Sequence, residues 1–446
     1  MSLSTEIISR TLETALTFRW PKFTFRTIRH RVVLPGKATA IVGMRRAGKT
    51  TFLHQLRRFY HEQGFPLERL PYINLEDDRL AGFDLSDFSL LIEEYYRRFP
   101  EFRGQQTVVW CFDEIQVVPG WERFIRRLMD TEKVIIFISG SSAALLSREI
   151  ATAMRGRAWE VVVFPFSFEE FLRHNSYIRP RRTDLLPPEQ RSLIEGAFRK
   201  YLTTGGFPEV QGVSALILQR LLSDYVDVAL LRDIVERHQV SNVVSLRWLV
   251  RHLLGNPGAL FSVEKFHATL KSQGLAVSRD TLHQLLNYLE DSFLVRLTWV
   301  DSDSERRRMV NPRKVYPLDP GLIPVFDRSG KANIGHALET AVRVELERRG
   351  LEIHYVRTQN GYEVDFITRS PEGERMLIQV CADLAEPDTQ KREIRALLDA
   401  ASEYPEASLH IITLRPERFS NLPPAIQLHN APFWFLKPWI DKQDTV

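Results

Sequence analysis

Lys37–Thr51 reads KATAIVGMRRAGKTT, and the fold turns on how this stretch is interpreted. Ala38–Val42 is a short apolar run of the kind that makes a buried strand, and Thr51–Tyr60 has the pattern of a helix. Between them Gly43, Gly48, Lys49 and Thr50 complete G-x-x-x-x-G-K-[ST] in the strand–loop–helix setting the motif requires. Glycines let the backbone fold back so that successive N–H groups point into one cavity, and the helix N-terminus adds partial positive charge. Lys49 reaches the outer phosphates and Thr50 offers its hydroxyl to Mg²⁺, while Arg46 and Thr51 flank the same loop. A chance glycine-rich turn would not bring strand, motif and helix into register. The stretch predicts a nucleoside-triphosphate site that also takes Mg²⁺.

Downstream, apolar strand-like runs alternate with helical ones. Leu70–Leu75 (LPYINL), Thr107–Phe112 (TVVWCF) and Val134–Ile138 (VIIFI) read as strands. Asp84–Phe99 and Trp121–Leu128 carry apolar residues at helical spacing. Apolar strands alternating with helices predict a parallel sheet covered on both faces. TVVWCF runs into Asp113 and Glu114, the expected partners of a phosphate loop. The first acid would hold Mg²⁺ through water and the second would polarise the attacking water. VIIFI runs into Ser139, Gly140, Ser141 and Ser142. There Ser141, or Ser139 beside it, either orients the water and senses the γ-phosphate or simply caps a turn. Arg155 and Arg157, in MRGRAWEV, are candidate arginine fingers. Arg157 is preferred, placing charge at the transferring phosphoryl group in cis or from a partner.

At 446 residues the chain has room for about three domains. Its 60 Lys and Arg against 56 Asp and Glu give a net charge of +4, so a basic surface would have to be local. The two cysteines, Cys111 and Cys381, lie in apolar runs. That excludes a disulfide framework or a Cys-rich zinc site and favours a reducing, cytoplasmic setting. MSLSTEIISR lacks the features of a signal peptide. No apolar run approaches the roughly 20 residues needed to span a bilayer, so no membrane partner is expected.

The C-terminal half changes character. Arg173–Gln190 is polar and Pro-rich, and a helical stretch follows, interrupted at Gly205-Gly206-Phe207-Pro208-Glu209. Short helices at Leu246–Leu253, Val263–Lys271 and Thr281–Ser292 come next, with Ser262 and Ser278 as N-caps. Strand-like Leu294–Val300 and Lys314–Leu318 bracket the charged DSDSERRR. That order predicts a winged helix whose basic wing carries Arg306, Arg307 and Arg308 with Arg313 and Lys314. A wing of arginines suits sequence-independent phosphate contact with DNA, although a solvated charged loop has the same composition. From Gly335 a helix, three strands, a helix and a strand predict a further α/β domain.

GMRRAGKT, YINLEDDRL, VVWCFDEIQ, FISGSS, MRGR, PFSFEEF, YLTTGGFPEV and LLRDIVERH resemble the AAA-superfamily ATPases of bacteria and archaea that carry a C-terminal domain of unknown function. NPRKVYPLDPGL, GHALETAVRVEL and YEVDFI…LIQVCADL extend the resemblance over nearly the whole chain. It implies an α/β chain of five parts: an N-terminal segment (1–30), a P-loop AAA domain (31–174), a linker and helical lid (175–240), a winged helix (241–330) and a nuclease-like domain (331–446). In relatives of this class the Gly-Gly-x-Pro turn of the lid lies over the nucleotide, which implies Gly206 and Pro208 as adenine-side contacts. Glu339, Asp365 and Gln379 resemble the acidic set of the PD-(D/E)XK nucleases, in which acids hold a divalent metal and a lysine supports the attacking water. Here Gln379 is neutral and Cys381 stands at the lysine position, with Lys391 on the next helix as the candidate substitute amine. These departures imply a degenerate nuclease fold. The resemblance names parts, with ATP and Mg²⁺ as cofactors. Surface finger arginines imply subunits that complete one another's sites, and the winged-helix and nuclease-like tail complete the reading: a homo-oligomeric ATPase acting on DNA. Its rivals are a nucleotide-gated switch on a protein partner and an ATP-dependent metal nuclease.

Overall fold

A computed structural model of the chain describes residues 5–16, 20–28, 32–140, 154–177, 186–327, 333–383, 387–416 and 422–437. It divides into two compact units, Met1–Phe164 and Pro165–Asp441.

The first unit is built on a five-stranded sheet. Its strands are β1 (Ala38–Val42), β2 (Tyr72–Asn74), β3 (Val108–Asp113), β4 (Val134–Gly140) and β5 (Ala158–Val162), in the order β2-β3-β4-β1-β5. Every pairing is parallel. Helices α1 (Thr5–Leu16), α2 (Lys49–Glu62), α3 (Asp87–Arg98) and α4 (Trp121–Thr131) flank it. β1 and β3 are buried along their whole length, as strands covered on both faces must be. On one face Phe52, Leu53 and Leu56 of α2 pack with Ile41, Val109 and Phe137. Elsewhere in the unit Phe88 of α3 stacks on Phe124 of α4 at 4.0 Å, and both meet Phe112 edge-on. The apolar pattern did not reveal β5. It is an edge strand, mostly half-buried, so it lacks the continuous hydrophobic run that marked the others.

The second unit begins with α5 (Phe168–His174), opened by a capping box between Ser167 and Glu170. Next come α6 (Pro188–Thr204), α7 (Ala215–Val228) and a π-helical continuation over Ala229–Glu236. Helices α8 (Val243–Gly255), α9 (Val263–Ser272) and α10 (Arg279–Asp291) follow, and the last two are capped by Ser262 and Ser278 as their sequence predicts. Three antiparallel strands accompany them: β6 (Leu260–Phe261), β7 (Val295–Val300) and β8 (Arg313–Pro317).

The segment between β7 and β8 differs from the loop the sequence suggested. Ser304 accepts the N–H of Arg307 and starts a short helix, α11 (Glu305–Val310), which carries Arg306, Arg307 and Arg308. Arg307 donates to the carbonyl of Arg357 at 3.3 Å, and Arg308 meets the ring of His354 at 3.3 Å.

After α12 (Ile323–Phe326) and α13 (Ile334–Arg348) come β9 (Glu352–Arg357), β10 (Glu363–Arg369), β11 (Arg375–Cys381), α14 (Pro387–Glu403), β12 (Ser408–Thr413), β13 (Ile426–Asn430) and α15 (Ala431–Leu436). β7 pairs in parallel with β9, so the three-stranded sheet and the C-terminal sheet are one. The order is β13-β12-β11-β10-β9-β7-β8-β6. Phe198, Tyr201, Leu338, Val342, Phe366 and Trp434 share one core, while Val364, Leu377, Leu397 and Ile411 share another. Val364 and Phe366 thus belong to different cores although they are two residues apart. The β9–β10 register shifts between Val364 and Ile367. A bulge there flips the strand's alternation and re-aims Asp365.

Candidate functional site

The phosphate loop leaves β1 at Gly43, whose φ of 147° favours glycine; a Cβ there would lie 2.3 Å from the carbonyl oxygen of Val163. Arg46 and Gly48 also have positive φ, 66° and 102°, which turns the chain back before α2. Gly48 caps α2 without a side-chain bond, and the first turn holds no acid. The N–H groups of that turn therefore face their ligand side with no competing carboxylate. Lys49 is buried, its Nζ 3.0 Å from the carbonyl of Gly43 and 3.3 Å from that of Met44. Thr50 is exposed and Thr51 half-buried at the same helix start. Arg26 braces the loop, donating to the carbonyls of Ala47 (3.1 Å) and Phe164.

Asp113 ends β3 and is buried. One of its oxygens accepts from Tyr72 Oη at 2.7 Å, and the other accepts from Ser139 Oγ. Ser139 Oγ also accepts the backbone N–H of Glu114 at 3.0 Å. Glu114 has a left-handed φ of 53°, so its side chain leaves the strand axis at the sheet's C-terminal edge. Gln116 donates to its carboxylate at 2.5 Å. Burial pushes the Glu114 carboxyl above its usual range, and the nearby Lys49 ammonium opposes that rise. Ser139 is therefore the strand-tip serine that ties the two acids together. Ser141 lies outside the described residues.

Behind Asp113 sits a buried polar chain that the sequence did not disclose. Tyr72 packs against His54 at 4.5 Å. His54 is drawn down to about 4, first by burial and then by Arg57, and so stays neutral. Arg57 donates to the carbonyls of Leu70 (2.8 Å) and Ala15 (3.0 Å). This chain fixes Tyr72 and, through it, Asp113.

Both oxygens of Asp113 already accept a hydrogen bond, which suits a metal contact through water. The uncapped helix start with Lys49 suits a chain of phosphates. The residues present fit a nucleoside triphosphate with Mg²⁺.

Arg157 is placed elsewhere. Ala38 pairs with Ala158 and Val42 with Val162, so Arg157 precedes β5 at the N-terminal end of the sheet. The loop starts after Val42, roughly 17 Å away by strand rise. Arg157 is exposed there and pairs with Asp130. That position does not suit a finger acting in cis.

Gly206 and Pro208 lie in the second unit. Gly206 is buried; its N–H goes to Asp319 at 2.7 Å and its carbonyl to the N–H of Phe166 at 2.6 Å. A Cβ there would sit 2.3 Å from the Phe166 carbonyl oxygen. The glycine is required for close packing, and these bonds use both its polar groups. Asp319, raised by burial to about 6, holds the turn, also accepting from Gly321 at 2.9 Å.

Glu339 of α13, Asp365 of β10 and Gln379 of β11 do come together. Asp365 accepts the N–H of Val380 at 3.0 Å, and its own N–H reaches Gln379 Oε1 at 3.3 Å. The Gln379 amide donates to Glu393 of α14. The amine at this cluster comes from Lys314 of β8, which the sequence assigned to the basic wing but which is buried among carboxylates instead of offered to a phosphate. Its Nζ lies 2.9 Å from Asp365, 2.9 Å from Glu363 and 3.3 Å from Glu339. Lys391 instead is exposed and 4.0 Å from Asp388, so it supplies nothing here. Cys381 bonds the carbonyl of Asp383 at 3.2 Å, and burial pushes its thiol up to about 11. Lys391 is the sequence's candidate only because it stands on the helix after Cys381; nothing in the spacing demands it. Only the pairing of β7 with β9 brings β8 close enough to deliver Lys314. Among the described residues no group of three or more His, Cys, Asp or Glu is disposed to hold a metal ion. Nor, among them, is any helix long and apolar enough to cross a membrane.

The parallel sheet, phosphate loop and paired acids define a P-loop protein with an AAA-type domain. Residues 35–172 match the family described as AAA domain, and residues 195–331 match a domain of unknown function, DUF8612. The chain is 33% identical over 412 residues to an uncharacterized protein of Methanocaldococcus jannaschii (MJ1544), covering 90% of this chain and 88% of the relative. It is 31% identical over 347 residues to an uncharacterized protein of Haemophilus influenzae, covering 78% and 82%. The chain belongs to the same family as these archaeal and bacterial proteins. Among solved structures it is similar to the Walker-type ATPase PABY2304 of Pyrococcus abyssi, at 18% identity and a TM-score of 0.39, over 73% of this chain and 95% of that one.

Proposed function

We propose that this protein hydrolyses ATP in its first unit and couples turnover to DNA binding or remodelling by its second. The observation that carries the catalytic part is the buried Asp113–Ser139–Glu114 arrangement at the sheet edge where the phosphate loop begins. The Lys49 amine and the α2 N–H groups would bind the outer phosphates, and Thr50 with Asp113 would hold Mg²⁺, which would supply positive charge against the charge developing on the phosphoryl group. Glu114 accepts the proton of the attacking water. Ser139 keeps the two carboxylates in fixed relation while this happens. Gly206 and Pro208 serve the turn's packing in this reading, and both polar groups of Gly206 are bonded within the second unit.

The position of Arg157 supports a finger delivered between subunits of a homo-oligomer. An Arg157→Ala protein should lose turnover and keep nucleotide affinity. Mixed with a Lys49→Ala protein, it should regain part of the rate, because some interfaces then hold both intact parts. No recovery, together with a monomeric mass in the presence of ATP, would count against a shared site.

Three short helices followed by a hairpin suit a winged helix, with α11 as the tip of the wing. Arg306 and Arg307 are exposed on it, a set suited to phosphate rather than base contact when joined by Arg308. Changing all three to alanine should weaken binding to unrelated duplex sequences alike. It should flatten the plot of log K against log salt by roughly 0.9 for each phosphate the protein no longer neutralises. An unchanged slope in a binding titration would leave α11 without a DNA role.

A further inference from the structure

The acid cluster of the second unit resembles a metal centre in its residues and departs from one in its geometry. Lys314 is 3% exposed, and its ammonium has three N–H donors. Three carboxylates stand around it: Asp365 and Glu363 at 2.9 Å, and Glu339 at 3.3 Å. Nζ donates hydrogen bonds to Asp365 and Glu339, and Glu363 is a third ion-pair partner. The cluster's other bonds run to protein groups: Tyr316 Oη donates to Glu339 at 2.7 Å, and the Val380 N–H to Asp365 at 3.0 Å. Burial works against the ammonium, but Asp365, Glu339 and Glu363 outweigh it and keep the amine charged. Burial and Asp365 push Glu339 up to about 7, and Lys314 and Tyr316 pull it back.

A divalent ion has no room beside this amine. Mg²⁺ needs oxygens at about 2.0–2.1 Å and Ca²⁺ at about 2.3–2.6 Å, so either would have to take the place Nζ holds. Two cations within bonding distance of the same carboxylates would also repel each other in a buried setting. The neutral amide of Gln379 and the protonated thiol of Cys381 offer no compensating charge.

We propose that Lys314 is the resident cation of this cluster, so that the protein holds no divalent metal there and does not cut DNA. The lysine comes from β8 and the acids from α13 and β10, so one charged centre fastens the hairpin to the C-terminal layer. If Lys314 sits where a cation belongs, its removal creates a divalent site. The oxygens then need to close by only a few tenths of an ångström to about one ångström to reach Ca²⁺ or Mn²⁺.

The test uses the full chain without nucleotide, so that the phosphate loop contributes no metal affinity and the result is independent of the ATPase reading. Thermal midpoints are recorded in EDTA, Ca²⁺ and Mn²⁺. The wild type should show the same midpoint in all three. Lys314→Met should melt several degrees lower in EDTA, because the buried Asp365, the largely buried Glu339 and the part-exposed Glu363 lose their counter-charge, and should recover in Ca²⁺ or Mn²⁺. Lys314→Met/Asp365→Asn should not recover. A Lys314→Met protein that no cation rescues would overturn the proposal, as would a wild type stabilised by metal in an Asp365-dependent way. Should the methionine variant fail to fold, the wild type decides alone. Mn²⁺-dependent cleavage of linear duplex DNA that disappears in Asp365→Ala refutes the assignment, and its absence together with an unmoved midpoint supports it.

Discussion

A Lys49→Ala protein is expected to lose ATP turnover by about 10²–10³-fold, the usual loss when one preorganised charge at a transferring phosphoryl group is deleted. The reason lies in the geometry of the loop. Lys49 Nζ hydrogen-bonds the carbonyls of Gly43 and Met44, so it already lies inside the cradle before ligand arrives. Deleting it leaves the α2 N–H groups to bind phosphates without a cation. Affinity for ATP should also fall by about 10–100-fold, the worth of one charge-assisted hydrogen bond. Titration with a fluorescent ATP analogue and a steady-state phosphate-release assay measure the two losses separately. An unchanged thermal midpoint shows that the fold survived, and wild-type turnover in such a protein would remove Lys49 from the site.

Glu114→Gln should behave differently: ATP binding within a few-fold of wild type, with hydrolysis reduced by about 10²–10⁴. Glutamine keeps the size of the side chain and its contact with Gln116 but cannot take a proton from water. The pH dependence follows from the direction of the shift. Burial raises the Glu114 pKa, and the group must be ionised to act as a base. Activity should therefore fall as pH drops, with the acid limb above the ordinary glutamate range, and that limb should be absent from the residual rate of the variant. An acid limb unchanged in Glu114→Gln would assign the base to another group.

Most of the first unit was legible because its signals are local. β1, β3 and β4 read as unbroken apolar runs, and the phosphate-loop motif sits between a strand and a helix that each declare themselves. Asp113 and Glu114 followed from their place at the end of β3. The rest depends on contacts between distant segments. β5 lacks an apolar run because it is an edge. Ser139 gains its importance from a bond to Asp113 on the neighbouring strand. Nothing near Tyr72 marks it as the partner of Asp113, since 41 residues separate them. In the second unit Glu339, Asp365 and Gln379 were visible as a pattern. Lys314 was not, because it is 51 residues from Asp365 and reaches it only across the shared sheet. The arginines of α11 read as a loop because charge dominates the segment, whereas the cap at Ser304 organises them into a helical turn.

Under the proposed function, nucleotide turnover in the first unit answers to DNA held by the second. The most direct measurement is the steady-state ATPase rate of the wild-type protein with Mg²⁺, alone and with duplex, single-stranded and branched DNA, at several salt concentrations. The rate should rise with at least one of these DNAs, and the rise should shrink as salt increases, because counterions compete with the arginines for the phosphates. A rate that is measurable, abolished by Lys49→Ala and indifferent to every DNA at every salt concentration would contradict the coupling to DNA.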